Sequence, residues 1–391
     1  MLGSDERRAA ERILAEAWGE AVAVRAAEVV AGRRHVVRLS ADDGRTAILK
    51  RSRATDSGGR WGDEPAGLAS EWTALDLLGA MPEPVAARLL GGDATRRLIV
   101  IEDLPPGRLL AHSLLGSDPV TAWADLVAYA EALAAVGAWS RDRAAEHAAA
   151  CRRRGLDPGG GSWWVRVIGR RREGFLAFAA DLGLPTAGAD AEIAEIEQIL
   201  DGEIAPGFVH GDPCPDNIVL IDGRCRLLDF ERSSWGSVVL DAAYLIAPFP
   251  SCWCFAGLPA EAVGPALAAY RAGLAAAGQE PAHGPGRDWD RAVAAALAGW
   301  LVARGDTIAR VWSQDSDDLW GTTTMRPRLR AWLEGFLAAP GAAAFPALAR
   351  LAGVLAEQAR EAWPDVTVPA YPAFAGPGAG AVEPPTGWDG P

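Results

Sequence analysis

Residues 208–231 read Phe-Val-His-Gly-Asp-Pro-Cys-Pro-Asp-Asn-Ile-Val-Leu-Ile-Asp-Gly-Arg-Cys-Arg-Leu-Leu-Asp-Phe-Glu, and three of these side chains could do chemistry together. Asp212 is followed by Asn217, and the pattern after Asn217 predicts a hairpin: Ile218–Ile221, the turn Asp222-Gly223, then Arg224–Leu228. Such a hairpin returns Asp229 to the side of Asn217. Asn217 and Asp229 are then two oxygen ligands for Mg²⁺, a hard ion that keeps waters and phosphate oxygens in its shell. Asp212 is placed to orient an acceptor hydroxyl and take its proton during phosphoryl transfer, a reaction driven mainly by positioning and charge neutralisation. Singly, Asp and Asn are ordinary turn and cap residues. Their combination around one hairpin favours function.

Composition singles out two of the same region's partners. Of 38 basic residues 37 are arginine, the exception being Lys50, and Asn217 is the only asparagine. Arginine replaces a surface lysine freely, but not a compact ammonium on a flexible stem at a phosphate site. Likewise, Asn217 could not become Asp without adding charge to a metal site.

With these residues in view, His210-Gly211-Asp212 with Asn217, then Asp229-Phe230-Glu231, resembles the aminoglycoside phosphotransferase and choline kinase-like family. These are small-molecule kinases of the bilobal protein-kinase-like fold, and the resemblance runs in order over most of residues 20–250. It implies an α+β chain with a small antiparallel-sheet N-lobe carrying one key helix, and a larger, mainly helical C-lobe. It implies ATP or GTP as phosphoryl donor with Mg²⁺, and Lys50 as the phosphate-binding lysine. Glu71 falls where the family's helix supplies that lysine's partner, with Glu64 and Asp76 as competitors. Ile101-Glu102-Asp103-Leu104 resembles the hinge, placing Glu102 and Leu104 at the adenine. Asp241, opening Asp241-Ala242-Ala243-Tyr244-Leu245, resembles the brace of the catalytic loop, and His210 reads as a bracing histidine because Asp212 already fills the role of base. Two departures stand out: Ala31-Gly32-Arg33-Arg34 lacks the G-x-G-x-x-G cover of protein kinases, leaving few backbone amides over the phosphates, and Pro213 and Pro215 stiffen the loop.

The elements that must position these residues are legible as patterns. Arg7–Trp18 reads as a helix; Ala21–Val30, His35–Ser40 and Thr46–Lys50 read as strands, the last two joined by the Asp42-Asp43-Gly44 turn. Ser52–Gly62 reads as mobile, Pro65–Leu78 as a helix, and Ala86–Gly91 and Arg97–Glu102 as strands. Residues 1–104 thus form the nucleotide-binding lobe ending in the hinge. Residues 105–363 form the helical lobe, including one long helix over Val120–Arg154 and others at Asp190–Leu200, Pro259–Ala277, Asp288–Arg310, Pro327–Leu337 and Ala347–Trp363. Residues 364–391, with 12 Pro or Gly among 28, are expected to lack a fold of their own.

The acceptor side is less legible. Trp312 to Trp320 combines Asp315, Asp317 and Asp318 with two indoles, a mixture suited to a cationic acceptor, although a polar loop reads equally well. The Arg152–Arg154 and Arg170–Arg172 clusters suit an anion, but a solvated helix face is the better reading. The net charge of −13 excludes nucleic acid and anionic membrane surfaces as partners. The run Ala292–Ala303 is too short to span a bilayer. Five cysteines without metal-site spacing read as reduced thiols in a cytoplasm, with Cys214 buried and inert. No pattern in the chain sets an oligomeric state. The expected function is transfer of the γ-phosphoryl group from ATP or GTP to a hydroxyl of a small molecule, an aminoglycoside-like antibiotic or a metabolite. The competing reading is a catalytically silent nucleotide-binding regulatory module of the same fold. A P-loop is excluded, because the one lysine is followed by Arg51.

Overall fold

The computed structural model describes residues 2–30, 33, 35–52, 67–159, 161–276 and 287–376. Helix α1 (Ser4–Trp18) opens the chain and stops at Gly19, whose φ of 77° is left-handed. Strands β1 (Val24–Val29), β2 (Val36–Ala41), β3 (Thr46–Arg51), β4 (Leu89–Asp93) and β5 (Leu98–Glu102) form an antiparallel sheet in the order β1-β2-β3-β5-β4, and α2 (Gly67–Leu78) lies between β3 and β4 in sequence. Strand alternation gives β3 two jobs. Ala47 and Leu49 join Ala9, Ile13 and Leu14 of α1 in a small apolar core. Lys50 points to the opposite face, where α2 packs, and it is central in the sheet, paired with Val36 and Ile99. Expected and observed strands agree closely, although β4 begins at Leu89. Residues 53–62 of the Ser52–Gly62 stretch, and Glu64, lie outside the described residues.

The helical lobe begins with β6 (Arg108–Leu109) and α3 (Leu110–Leu115). The single long helix expected over Val120–Arg154 is two helices, α4 (Pro119–Ser140) and α5 (Ala144–Arg153). Ser140 explains the break: its Oγ donates to Gly137 O and accepts the Phe208 amide, which commits the end of α4 to strand β7 (Pro206–Val209). Helix α6 (Trp163–Asp181), for which the sequence pattern raises no expectation, starts at the capping hydroxyl of Ser162. Then come α7 (Ala189–Gln198), the hairpin β8 (Ile218–Ile221) and β9 (Arg224–Leu227), strand β10 (Ser234–Ser237) paired with β7, and α8 (Val239–Ile246). The hairpin turn uses positive φ at Asp222 (49°) and Gly223 (73°), the twist-matched geometry its sequence called for.

The remaining helices are α9 (Ala260–Ala276), α10 (Arg287–Ala303), α11 (Gly305–Ser313), α12 (Met325–Ala338) and α13 (Pro346–Ala362), with a small hairpin of β11 (Leu319–Trp320) and β12 (Thr323–Thr324) before α12. Helix α10 is the hub of the lobe, every residue from Ala292 to Ala303 being buried, as a helix apolar on all sides must be. Helix α4 is long and apolar enough to cross a bilayer, yet 56% of that stretch is buried inside the fold. The chain from Pro364 to Gly376, expected to lack a fold, instead packs onto this lobe. Tyr371 is fully buried against Phe249, and the Gly257 and Tyr371 amides bond to Pro369 O and Gly257 O. One aromatic anchor and rigid prolines outweigh the local composition; residues 377–391 lie outside the described residues.

Candidate active site

Lys50 and Glu71 meet between the sheet and α2, Nζ to Oε1 at 2.5 Å, both buried. Asp76, the other described competitor, faces outward and pairs with Arg153 and Arg154. Lys50 Nζ also lies 3.2 Å from Asp229 Oδ1 of the opposite lobe. Burial alone would pull the Lys50 pKa down, but Asp229 and Glu71 outweigh it and raise it above its ordinary value, so the ammonium stays charged.

The loop after β7 is fixed by its neighbours. The Asp241 carboxylate, inside α8 and not at a cap, accepts the amides of His210 (2.8 Å) and Gly211 (3.0 Å). Burial pushes its carboxyl up to about 7, against the two amides that favour the ionised form. His210 is fully buried, its pKa lowered by burial. The neutral Nε2–H tautomer satisfies both ring nitrogens, donating to Leu228 O (2.9 Å) and accepting the Asp212 amide at Nδ1 (3.3 Å). Gly211 has φ 80°, and a Cβ there would stand 2.3 Å from Arg232 O, so only glycine fits between His210 and Asp212. Trp164 Nε1 donates to Gly211 O and Tyr129 Oη to Pro213 O.

Asp212 is therefore presented on a rigid turn. Its Oδ2 takes Arg232 Nη1 at 2.6 Å, and its Oδ1 lies 2.8 Å from Ser251 Oγ and 3.1 Å from Tyr244 Oη. A carboxylate has about four acceptor positions. Three are used, which leaves one on Oδ2 for an incoming hydroxyl. Asn217 donates its side-chain Nδ2 to Asp212 O (3.0 Å), which assigns the amide and leaves Oδ1 as its ligand atom. The Leu228 amide bonds to Asn217 O (2.8 Å), so the hairpin does bring Asp229 beside Asn217. Asp229 itself has φ 64°, uncommon for a residue with a side chain. An amide oxygen and a carboxylate fit Mg²⁺, and not a thiophilic metal.

The cysteines differ from expectation. Cys214 and Cys252 are joined as a disulfide across 38 residues, tying the Asp212 loop to the segment that carries Ser251, while Cys151, Cys225 and Cys254 are buried free thiols. The Cys214 sulfur lies 3.2 Å from Asp212 Oδ1. Sequence spacing holds no sign of this pairing, because only the packing of the loop on the stretch after α8 brings the two together.

The acceptor residues read from sequence lie on the loop between α11 and β11. Asp317 caps α12, accepting the Met325 and Arg326 amides, and Asp318 lies 3.9 Å from Arg310. Asp315 offers its backbone carbonyl to Arg326. Of the three carboxylates, only that of Asp317 is committed to capping a helix. In the arginine clusters, Arg153, Arg154, Arg171 and Arg172 pair with acids of this chain. At the hinge, Glu102 exchanges bonds with Arg88 and Asp103 is held by Arg38, while Leu104 is half-buried. Sequence reasoning missed Arg232, Tyr244 and Ser251 around Asp212. Tyr244 lay within a noted motif and Arg232 one residue beyond another, whereas Ser251 carried no signal.

A model of the phosphotransferase enzyme family matches residues 26–292. Among solved structures, a putative aminoglycoside phosphotransferase from Ralstonia eutropha is similar at 20% identity, covering 89% of this chain and 98% of its own (TM-score 0.49). A putative fructosamine-3-kinase from Thermobifida fusca is 18% identical, covering 88% and 97% (TM-score 0.45). The choline kinase LicA from Streptococcus pneumoniae is 14% identical, covering 80% and 93% (TM-score 0.43). No curated protein matches the sequence. With more than half the chain under one family model, the chain belongs to the phosphotransferase enzyme family.

Proposed function

We propose that this enzyme moves the γ-phosphoryl group of ATP or GTP to a hydroxyl of a small molecule, an aminoglycoside-like antibiotic or a metabolite. The observation that carries the reading is the Asp212 carboxylate: rigidly presented, with one acceptor position left on Oδ2, on the loop that also bears Asn217 and beside the hairpin that ends at Asp229. The acceptor hydroxyl donates to that position. Asp212 turns its oxygen toward the donor and receives the proton as the new O–P bond forms. Arg232 and the Tyr244 and Ser251 hydroxyls hold the carboxylate in one orientation while this happens. Lys50, kept charged by Glu71 and Asp229, contacts the donor phosphates. The backbone at Glu102 and Leu104 serves the base of the nucleotide. Asn217 and Asp229 would hold Mg²⁺, which when bound neutralises phosphate charge.

The test is nucleotide-diphosphate release from ATP and from GTP, screened against aminoglycosides, choline, fructosamines, homoserine and simple sugars. Acceptor-dependent release with at least one class is expected. Nucleotide binding without release for any acceptor would favour the silent regulatory module instead.

A further inference from the structure

Arg33 stands between β1 and β2, its amide donating to the O of Val30, the residue after β1 (2.9 Å), and its carbonyl accepting the amide of Val36, the first residue of β2 (2.8 Å). From there its guanidinium crosses the cleft. Nη1 lies 3.6 Å from Asp229 Oδ2 and Nη2 lies 3.8 Å from Asp216 Oδ2, with the side chain one-third exposed. Asp229 therefore sits between two cations of the opposite lobe, Lys50 at one oxygen and Arg33 at the other.

The two contacts differ in kind. Lys50 is within hydrogen-bond distance of both its carboxylates, whereas both Arg33 contacts are too long for hydrogen bonds and rest on charge alone. A guanidinium held only by long contacts re-pairs readily with an anion that matches its planar fork, and phosphate oxygens match it best. The cation that Asp229 is suited to bind would also repel Arg33 from Oδ2. The anion that arrives with that cation is the donor's phosphate chain.

We infer that Arg33 is a donor-phosphate contact, a side chain that supplies from the strand tip the charge that backbone amides of a glycine-rich loop supply elsewhere. On nucleotide binding it exchanges its long contacts to Asp229 and Asp216 for hydrogen bonds to β- or γ-phosphate oxygens. The inference rests on the nucleotide-donor reading above, and the following experiment separates the two.

Calorimetric titration of the full chain with ATP, ADP and AMP in the presence of Mg²⁺ compares wild type with Arg33→Ala and Arg33→Lys. Wild type is expected to bind ATP most tightly. Arg33→Ala is expected to weaken ATP by about tenfold, the loss of one charge-assisted phosphate contact, and to leave AMP within twofold. Arg33→Lys should recover part of the loss. Equal weakening of ATP and AMP, or no weakening of either, would overturn the inference while leaving the donor reading intact. Failure of wild type to bind any nucleotide would overturn both.

Discussion

Replacing Asp212 by Asn separates what that carboxylate does for chemistry from what it does for the fold. In the variant, Asn Oδ1 keeps the Ser251 and Tyr244 hydroxyls, but its Nδ2 turns a donor toward Arg232, now 2.6 Å from a group that also donates. Arg232 is 8% exposed, so its guanidinium is left buried opposite a neutral amide. Removing one partner of a buried ion pair costs about 3–5 kcal/mol, and partial solvent access at Asp212 places this case near the lower end, about 3 kcal/mol. Turnover should fall by about 10²–10⁴, the usual contribution of a positioned general base. Nucleotide affinity should hold, because Lys50, Glu71 and Asp229 do not bond to the Asp212 side chain. Adding Arg232→Met removes the stranded charge and should recover most of the lost stability without recovering turnover. Urea melts of the single and double variants, alongside diphosphate release with the acceptor identified by screening, read both quantities. Turnover of Asp212→Asn within tenfold of wild type would refute the role given to Asp212, and recovery of turnover with stability in the double variant would show that the carboxylate serves only the fold.

Two further outcomes follow from buried groups away from the reacting atoms. Alkylation of the denatured chain without reductant should label three of the five cysteines, Cys151, Cys225 and Cys254, and all five after reduction; five labels without reductant would refute the Cys214–Cys252 bond. Burial lowers the His147 pKa from 6.5 to about 4, so between those values the unfolded chain binds the proton that the folded chain refuses. Stability from this group is therefore complete above pH 6.5 and is lost as pH falls toward 4, by roughly 3 kcal/mol at the bottom of that window. His147→Leu should be relatively less sensitive by that amount when urea midpoints at pH 7.5 and pH 4 are compared, and parallel pH profiles would refute the assignment.

The legible part of the site was the part written locally. Strand alternation sends Lys50 away from the face that Leu49 packs, and the Asp222-Gly223 turn returns Asp229 to Asn217, because both follow from backbone geometry over a few residues. The family resemblance located Glu71 and Asp241, and the contacts place each beside the group it was read to serve. Val120–Arg154 misled as one helix because helical propensity runs through residues 141–143, while the break is imposed by Phe208, far along the chain, bonding to Ser140. The Asp315–Asp318 loop shows the same limit: carboxylates look alike in sequence whether they meet a ligand or cap a helix, and only the structure shows that Asp317 caps one.

Sequence alone, then, determined the chemistry available to this protein: one lysine, one asparagine and two aspartates at spacings that a sheet and a hairpin can bring together. It could not determine how the Asp212 carboxylate is held. Arg232, Tyr244 and Ser251 reach it from 20, 32 and 39 residues away, and Arg33 crosses from the other lobe to Asp229. Those partners are chosen by long-range packing, in which each contact depends on where whole helices come to rest, and no local pattern of residue types encodes that placement.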